Sequence, residues 1–335
     1  MLRDLRLLKQ LQKDNVSLCP IETLTRPHPP VWTALVSLLP FDEGQTFTFV
    51  LNEQRGEGKQ LQGFIQIREP STQSGMYLQC ITPRLEADED AQSVWNRLLS
   101  HVIAMAGERG TQRVFAYAGD ESPELTALLG TGFSLYTRED IYRLDPGTHP
   151  QMLAPREIRA EQSTDSWQLG QLYRAITPHL VQQAESRGHT ANIEWSCEPM
   201  IWNQGEGFVL DDREGTAGYG HLISGHVGHW LNILIHPRAY DQAGDLIDYA
   251  LALLNYYPPR PVYCAVREYQ GGVRVPLETR GFDLFSAQCC LVRHTMGRVK
   301  EPARGLVPAL EKRVEAPTTT VSSSEGAQIC IVARD

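Results

Sequence analysis

The sequence predicts an α/β protein of the α+β kind: two tandem domains, each a mixed, mostly antiparallel sheet flanked by helices. Three observations point there. Gly132-Phe133 follows an apolar strand at 114–118 and Gly281-Phe282 follows one at 262–266, so the same features return after 149 residues. In each copy a strand, a turn and a strand precede a long amphipathic stretch and the Gly-Phe pair. Between the copies, 145–150 reads Asp-Pro-Gly-Thr-His-Pro, a cluster of turn formers. A unit of about 150 residues is an ordinary domain length. The boundaries are therefore expected at 1–145 and 155–295, followed by a Pro-, Ser- and Thr-rich tail at 296–335.

The elements follow in order. Leu5, Leu8 and Leu11 recur at helical spacing, and a second helix is predicted at 31–39 after the Pro-rich 26–30. Residues 46–52 are β-branched and aromatic, as strands prefer. Strands at 63–68 and 77–82 flank the turn-rich 70–75, which makes a hairpin. Val94, Trp95, Leu98, Leu99, Val102, Ile103 and Ala106 share one face of a helix over 87–107, ended by Gly107 and Gly110. A strand at 114–118, a short helix at 121–129 and a closing strand or pair of strands at 135–144 complete the first copy. The second copy runs through a helix at 163–185 and strands at 207–211, 217–223 and 229–235. A helix at 242–254, a strand at 261–266, a short helix ending at Gly281 and a strand at 284–294 close it. The tail, with low complexity at 318–324, is expected to be largely disordered, apart from a short helix at 306–314 and an apolar stretch at 329–332 able to dock.

Composition bounds the function. With 41% apolar and 21% charged residues the chain has the make-up of a soluble globular protein. Its apolar runs are far shorter than the ~20 residues of a spanning helix, and its N-terminus is charged where a signal peptide is apolar. A cytoplasmic protein without a membrane partner is expected. A net charge of −9 and the lack of any Lys/Arg run argue against nucleic acid. Seven cysteines, scattered and without CxxC spacing, read as buried thiols, and the neighbours Cys289 and Cys290 should point to opposite faces of a strand. His221, His226, His229 and His236 invite a metal reading, but no Cys or acidic residue stands among them at ligand spacing, so no metal is expected. Trp195, Trp202 and Trp230 read as core or cleft walls.

A strand ending in x-Pro (Thr82-Pro83, His236-Pro237), a loop, an amphipathic helix, a strand, a short helix and Gly-Phe occur twice in the same order. This order resembles the GCN5-related N-acetyltransferase (GNAT) fold in tandem, over roughly 1–145 and 155–295. The resemblance implies acetyl-CoA as co-substrate and direct acetyl transfer to the amine of a small-molecule or peptide acceptor. It implies that strands 231–235 and 262–266 splay apart, as do 77–81 and 114–118, exposing backbone groups to the pantetheine arm.

The family's loop after the Pro reads Arg/Gln-x-x-Gly-x-Gly/Ala, whose glycines let backbone N–H groups and the helix dipole close on the diphosphate. Here 84–90 reads Arg-Leu-Glu-Ala-Asp-Glu-Asp, with no glycine and four carboxylates in the anion's place. Like charges there repel, so the first copy is expected not to bind. The second loop keeps Arg238, Gln242, Ala243 and Gly244 beside Asp241 and Asp245. The cofactor-binding residues implied by the resemblance are Leu234, Ile235, Arg238, Gln242, Ala243, Gly244 and Asp245.

The family's frequent general acid is a Tyr four residues before the Gly of Gly-Phe, and those positions here are Leu128 and Leu277. Neither donates a proton, so Tyr269, just past the strand, is the candidate acid. His229 and Glu268 are the candidate bases, although a His or Glu at a strand end is more often a solvated surface residue. The alternative is a catalytically inactive GNAT-fold binding, regulatory or structural protein.

Overall fold

The computed structural model describes residues 2–37, 44–54, 60–70, 75–87, 89–147, 158–185, 205–295 and 329–331. The chain begins with helix α1 (Leu2–Leu11), a two-residue strand β1 (Val16–Ser17), and helices α2 (Pro20–Thr25) and α3 (Pro30–Val36). Strands β2 (Gly44–Gln54), β3 (Gln60–Pro70) and β4 (Gly75–Ile81) follow, then α4 (Ala91–Arg109), β5 (Arg113–Gly119), α5 (Pro123–Gly130) and β6 (Ser134–Leu144). The second repeat contains β7 (Ile158–Ala160), α6 (Ser166–Ile176), α7 (His179–Glu185), β8 (Gly205–Asp212), β9 (Gly215–Ser224) and β10 (His229–Ile235). It ends with α8 (Ala243–Leu254), β11 (Val262–Arg267), α9 (Arg274–Thr279) and β12 (Asp283–His294), and β13 (Ile329–Ile331) lies in the tail.

Two boundaries differ from expectation for clear reasons. Gly107 stays inside α4, and the stop is Gly110, whose φ of +80° lies in the left-handed region that a side chain disfavours. The helix expected at 163–185 is two helices, because Pro178 lacks an N–H and biases the preceding residue away from helix. Thr177 accordingly sits at ψ 128°.

The strands form one sheet in the order β13-β2-β3-β4-β5-β12-β6-β11-β10-β9-β8-β7, with β1 added on β4. Among the described strands only β4/β5 and β10/β11 run parallel. The last strand of each repeat crosses to the other: β12 pairs with β5, and β6 pairs with β11. The exchanged strands meet at the centre, where Glu139 stands opposite Gln288. These two residues are 149 apart and hydrogen-bonded through their side chains. The separation equals that of the two Gly-Phe pairs, so the pseudo-twofold of the duplication passes between them.

Alternation along the strands splits the core by face. On one face Phe49, Ile65, Ile67, Val114 and Leu291 pack under α4, whose Trp95 and Leu99 are fully buried. Leu231, Ile233, Ile235 and Val266 do the same under α8, with Leu246 and Ile247. The other face carries smaller clusters: Phe64 and Val50 under α1 and α3, and Val209, Tyr219 and Leu234 under α6. Cys289 belongs to the α4 side. Cys290, the next residue along the strand, interacts with Glu139. Cys19, Cys80, Cys264, Cys289 and Cys290 are buried free thiols, while Cys197, Trp195, Trp202 and the predicted 306–314 helix lie outside the described residues. The apolar stretch at 329–332 contributes Ile329–Ile331 as β13, antiparallel to β2. Among the described residues no helix is long and apolar enough to cross a membrane.

Candidate functional site

Two gaps open in this sheet, one per repeat, where the parallel strands diverge. β4 and β5 pair only from Gly75/Arg113 to Tyr77/Phe115. β10 and β11 pair from His229/Val262 to Asn232/Ala265 and then separate. Diverging strands leave inward backbone N–H and C=O groups that need partners.

The repeats meet that need differently. In the first, β1 pairs with β4 on the side facing β5, Val16 opposite Ile81 and Ser17 opposite Cys80. Leu18 then spans the gap, its N–H donating to the Gln79 carbonyl (2.8 Å) and its carbonyl accepting from the Tyr117 N–H (3.2 Å). The chain's own backbone thus fills the first gap. In the second, no described segment bridges the inner edge of 233–235 to β11.

The segments that follow β4 and β10 also differ. After β4 comes the carboxylate-rich turn, and Trp95 Nε1 donates to the Pro83 carbonyl (2.7 Å). After β10 the chain winds through a 3₁₀ turn (Pro237–Gln242) directly into α8. There the Ala243 N–H is taken by the Tyr240 carbonyl. Ala243 and Gly244 are buried, Gln242 and Asp245 half-buried. Arg238 is exposed and its guanidinium donates to Asp212 at 2.8 and 3.3 Å, with Glu214 at 3.3 Å. These carboxylates hold it above the ordinary guanidinium pKa, led by the Asp212 hydrogen bond. Gly244 is packed under Arg280, whose guanidinium a Cβ would overlap. Arg280 in turn pairs with Asp248 at 2.5 and 2.7 Å. Leu234 and Ile235 lie on the diverging end of β10, Leu234 against Tyr173 and Ile176, Ile235 in the α8 core.

Tyr269 and Glu268 lie just beyond β11, at the end where the strands separate. The Tyr269 hydroxyl accepts from Arg267 Nη1 (3.1 Å). Burial raises its pKa above the usual phenol value, with the Arg267 charge opposing. Arg267 also pairs with buried Glu185 (2.7 Å) and lies 3.7 Å from Glu139, and Tyr173 donates its O–H to Glu185 (2.6 Å). Burial, partly offset by Arg267, raises Glu139 above the usual carboxylate range. Glu268 is exposed and accepts from the Thr137 hydroxyl (3.4 Å). This Tyr173–Glu185–Arg267–Tyr269 network joins α6, α7 and β11. It is not legible in the sequence, because its members lie up to a hundred residues apart.

His229 is not brought to this group. It opens β10, and six residues of strand at ~3.3 Å each put it roughly 20 Å from the diverging end. There it is buried, its N–H on the Pro261 carbonyl (2.9 Å) and its ring against Tyr257. It therefore leaves the set of bases. Of the remaining histidines, His226 lies beside His28 with the two rings tilted, and His236 accepts from the Arg238 N–H. No group of three or more His, Cys, Asp or Glu among the described residues is placed to hold a metal. Trp230 is core, packed with Ile21, Ile223 and Tyr263.

Neither a protein-family model nor a curated protein matches the sequence. Solved structures do. A tandem GNAT protein from the clavulanic acid biosynthesis pathway is 13% identical at a TM-score of 0.50, over 86% of this chain and 93% of that one. A GCN5-related N-acetyltransferase from Sphaerobacter thermophilus is 12% identical over 85% and 96%, at 0.46. One from Kribbella flavida is 11% identical over 70% and 87%, at 0.43. The duplicated strand order, the two diverging parallel pairs and the first of these similarities together show that this chain has the tandem GNAT fold.

Proposed function

We propose that the chain is an acyltransferase with one working slot, in the second repeat, which takes an acetyl group from acetyl-CoA to an amine. The observation that carries this reading is the asymmetry of the two gaps: Leu18 occupies the first, and no described segment occupies the second. The edge at 233–235 fits an extended amide-bearing arm, which can pair with it as a strand would. The start of α8 fits a diphosphate less well, since the Ala243 N–H is spent and Arg238 is shared with Asp212. Arg238 is the cation that would hold the anion, and Leu234 and Ile235 the strand edge that would hold the arm.

Acyl-CoA supplies an activated thioester when bound. The chain's own residues handle protons: Tyr269 stays protonated at neutral pH and is the donor to a departing thiolate, while Arg267 orients its hydroxyl. Exposed Glu268, fixed by Thr137, is the acceptor of an amine proton. The acceptor is a small-molecule or peptide amine, and the setting cytoplasmic. The test is release of free CoA thiol when the intact chain meets acetyl-CoA and a panel of amines. Release above the no-enzyme rate supports transfer, and its absence with every amine refutes it. A second reading, a non-catalytic member of the fold, is favoured by the acidic start of α8; it predicts acyl-CoA binding without thiol release, or neither.

A further inference from the structure

A cavity of about 360 Å³ opens on the α1–α3 face of the first repeat, walled by α2, the start of α3, and the ends of β3 and β4. It holds far more than one water, whose share of liquid is ~30 Å³, and reaches the size of small-ligand pockets, ~300–1,000 Å³. Its wall α2 packs through Ile21 on Trp230, near the start of β10, whereas the second gap lies at the 233–235 end of that strand, so the cavity is no part of the gap.

Its wall carries polar groups that the fold does not use. Gln79, in the register shift between β3 and β4, is buried, and both its amide oxygen and its amide nitrogen lack a hydrogen-bond partner among the described residues. Its neighbour Gln66 shows what satisfied means here, its amide nitrogen donating to the Pro30 carbonyl (2.7 Å) and Thr48 (3.0 Å). Leaving both atoms of an amide unpaired costs about 1–3 kcal/mol per group, so a partner with an acceptor and a donor side by side is called for. The Glu22 carboxyl of α2 lines the same cavity, as do Arg84 and His28.

The geometry points to a small-molecule site in this cavity for a primary amine bearing an adjacent carboxamide, the carboxamide pairing with Gln79 and the ammonium with Glu22. A free amino acid fits worse, since its carboxylate donates nothing to the Gln79 oxygen and faces Glu22. The charged and titratable neighbours of Glu22 agree. Burial, against the opposing charge of Arg68, pushes its carboxyl up to about 7. Burial pushes the Cys80 thiol to about 12, so it stays protonated. His28 is held below its usual value by burial and by the charges of His226 and Arg26, so it stays neutral above pH 6.5. An ammonium should bind more tightly as Glu22 ionises, until the ligand's own α-ammonium, with a pKa of about 8, begins to lose its proton.

Calorimetry on the full chain with L-alaninamide, L-alanine and N-acetyl-L-alaninamide tests this. Expected are saturable one-to-one binding of alaninamide, at least tenfold weaker binding of the other two, and an affinity that rises from pH 6.5 to a maximum at about 7.5 and falls above it as the ligand's ammonium deprotonates. Gln79→Leu and Glu22→Gln should each weaken alaninamide at least tenfold. Coenzyme A should leave its binding unchanged, so failure here is separable from failure of the acyltransferase reading. No saturable binding of alaninamide, or equal affinity for alanine, overturns the proposal. That comparison needs only the wild-type chain and does not depend on a variant folding.

Discussion

Tyr269 presents one hydroxyl, held by Arg267 and kept protonated by burial. Tyr269→Phe removes the proton donor and leaves the ring, so thiol release should fall about 10²-fold, the lower end of general-acid contributions, with KM for acetyl-CoA little changed. An undiminished rate would strike Tyr269 from the mechanism. Glu22 makes a prediction of different sign. Its pKa is raised in the folded chain, so its contribution to stability is complete below 4.5 and is lost as pH rises through about 7. Urea unfolding should show the protein less stable at pH 8 than at pH 5, by at most ~3 kcal/mol from this group. Glu22→Gln should flatten that slope, and an unaltered slope would show that the carboxyl ionises normally. His229 is placed by its strand. It opens its strand while the gap lies at the strand's far end, so strand polarity alone separates it from Tyr269.

Among elements, the segment from β1 to Leu18 does what a ligand would otherwise do, lending N–H and C=O to two strand edges that have parted. Leu18→Pro deletes the N–H that reaches Gln79 and disturbs a buried apolar residue. It should cost about 2–4 kcal/mol in denaturant unfolding and speed amide exchange at Tyr117. An unshifted midpoint would show that this segment is a loose cover. Elements were legible wherever the signal was local. The three-and-four spacing of Val94 to Ala106 became α4, and the hairpin signals became β3 and β4. Residues 15–19 were silent, because a five-residue stretch has no period to read and its partners come from strands sixty and a hundred residues later. The candidate site was legible in part for the same reason: the loop after Pro237 could be read, but not the pairing of Arg238 with Asp212 or of Arg280 with Asp248.

For the whole molecule, the duplication was plain in the sequence and the exchange of last strands was not. Nothing in the residue pattern of β6 or β12 names its neighbour. Three-dimensional register decides, setting Gln288 against Glu139 at the pseudo-twofold. The exchange makes each repeat incomplete, since without β12 the edge of β5 is bare and without β6 so is that of β11. Residues 1–147 and 148–335 produced separately should therefore be insoluble or unfolded by circular dichroism, and soluble when coexpressed. A half that melts cooperatively on its own would contradict this. The asymmetry of the two gaps is tested most directly by the stoichiometry of acetyl-CoA on the intact chain in isothermal titration calorimetry. One site per chain is expected, weakened about tenfold by Arg238→Glu and kept in Tyr269→Phe. Two sites per chain, or no binding at millimolar ligand by a folded protein, would contradict it.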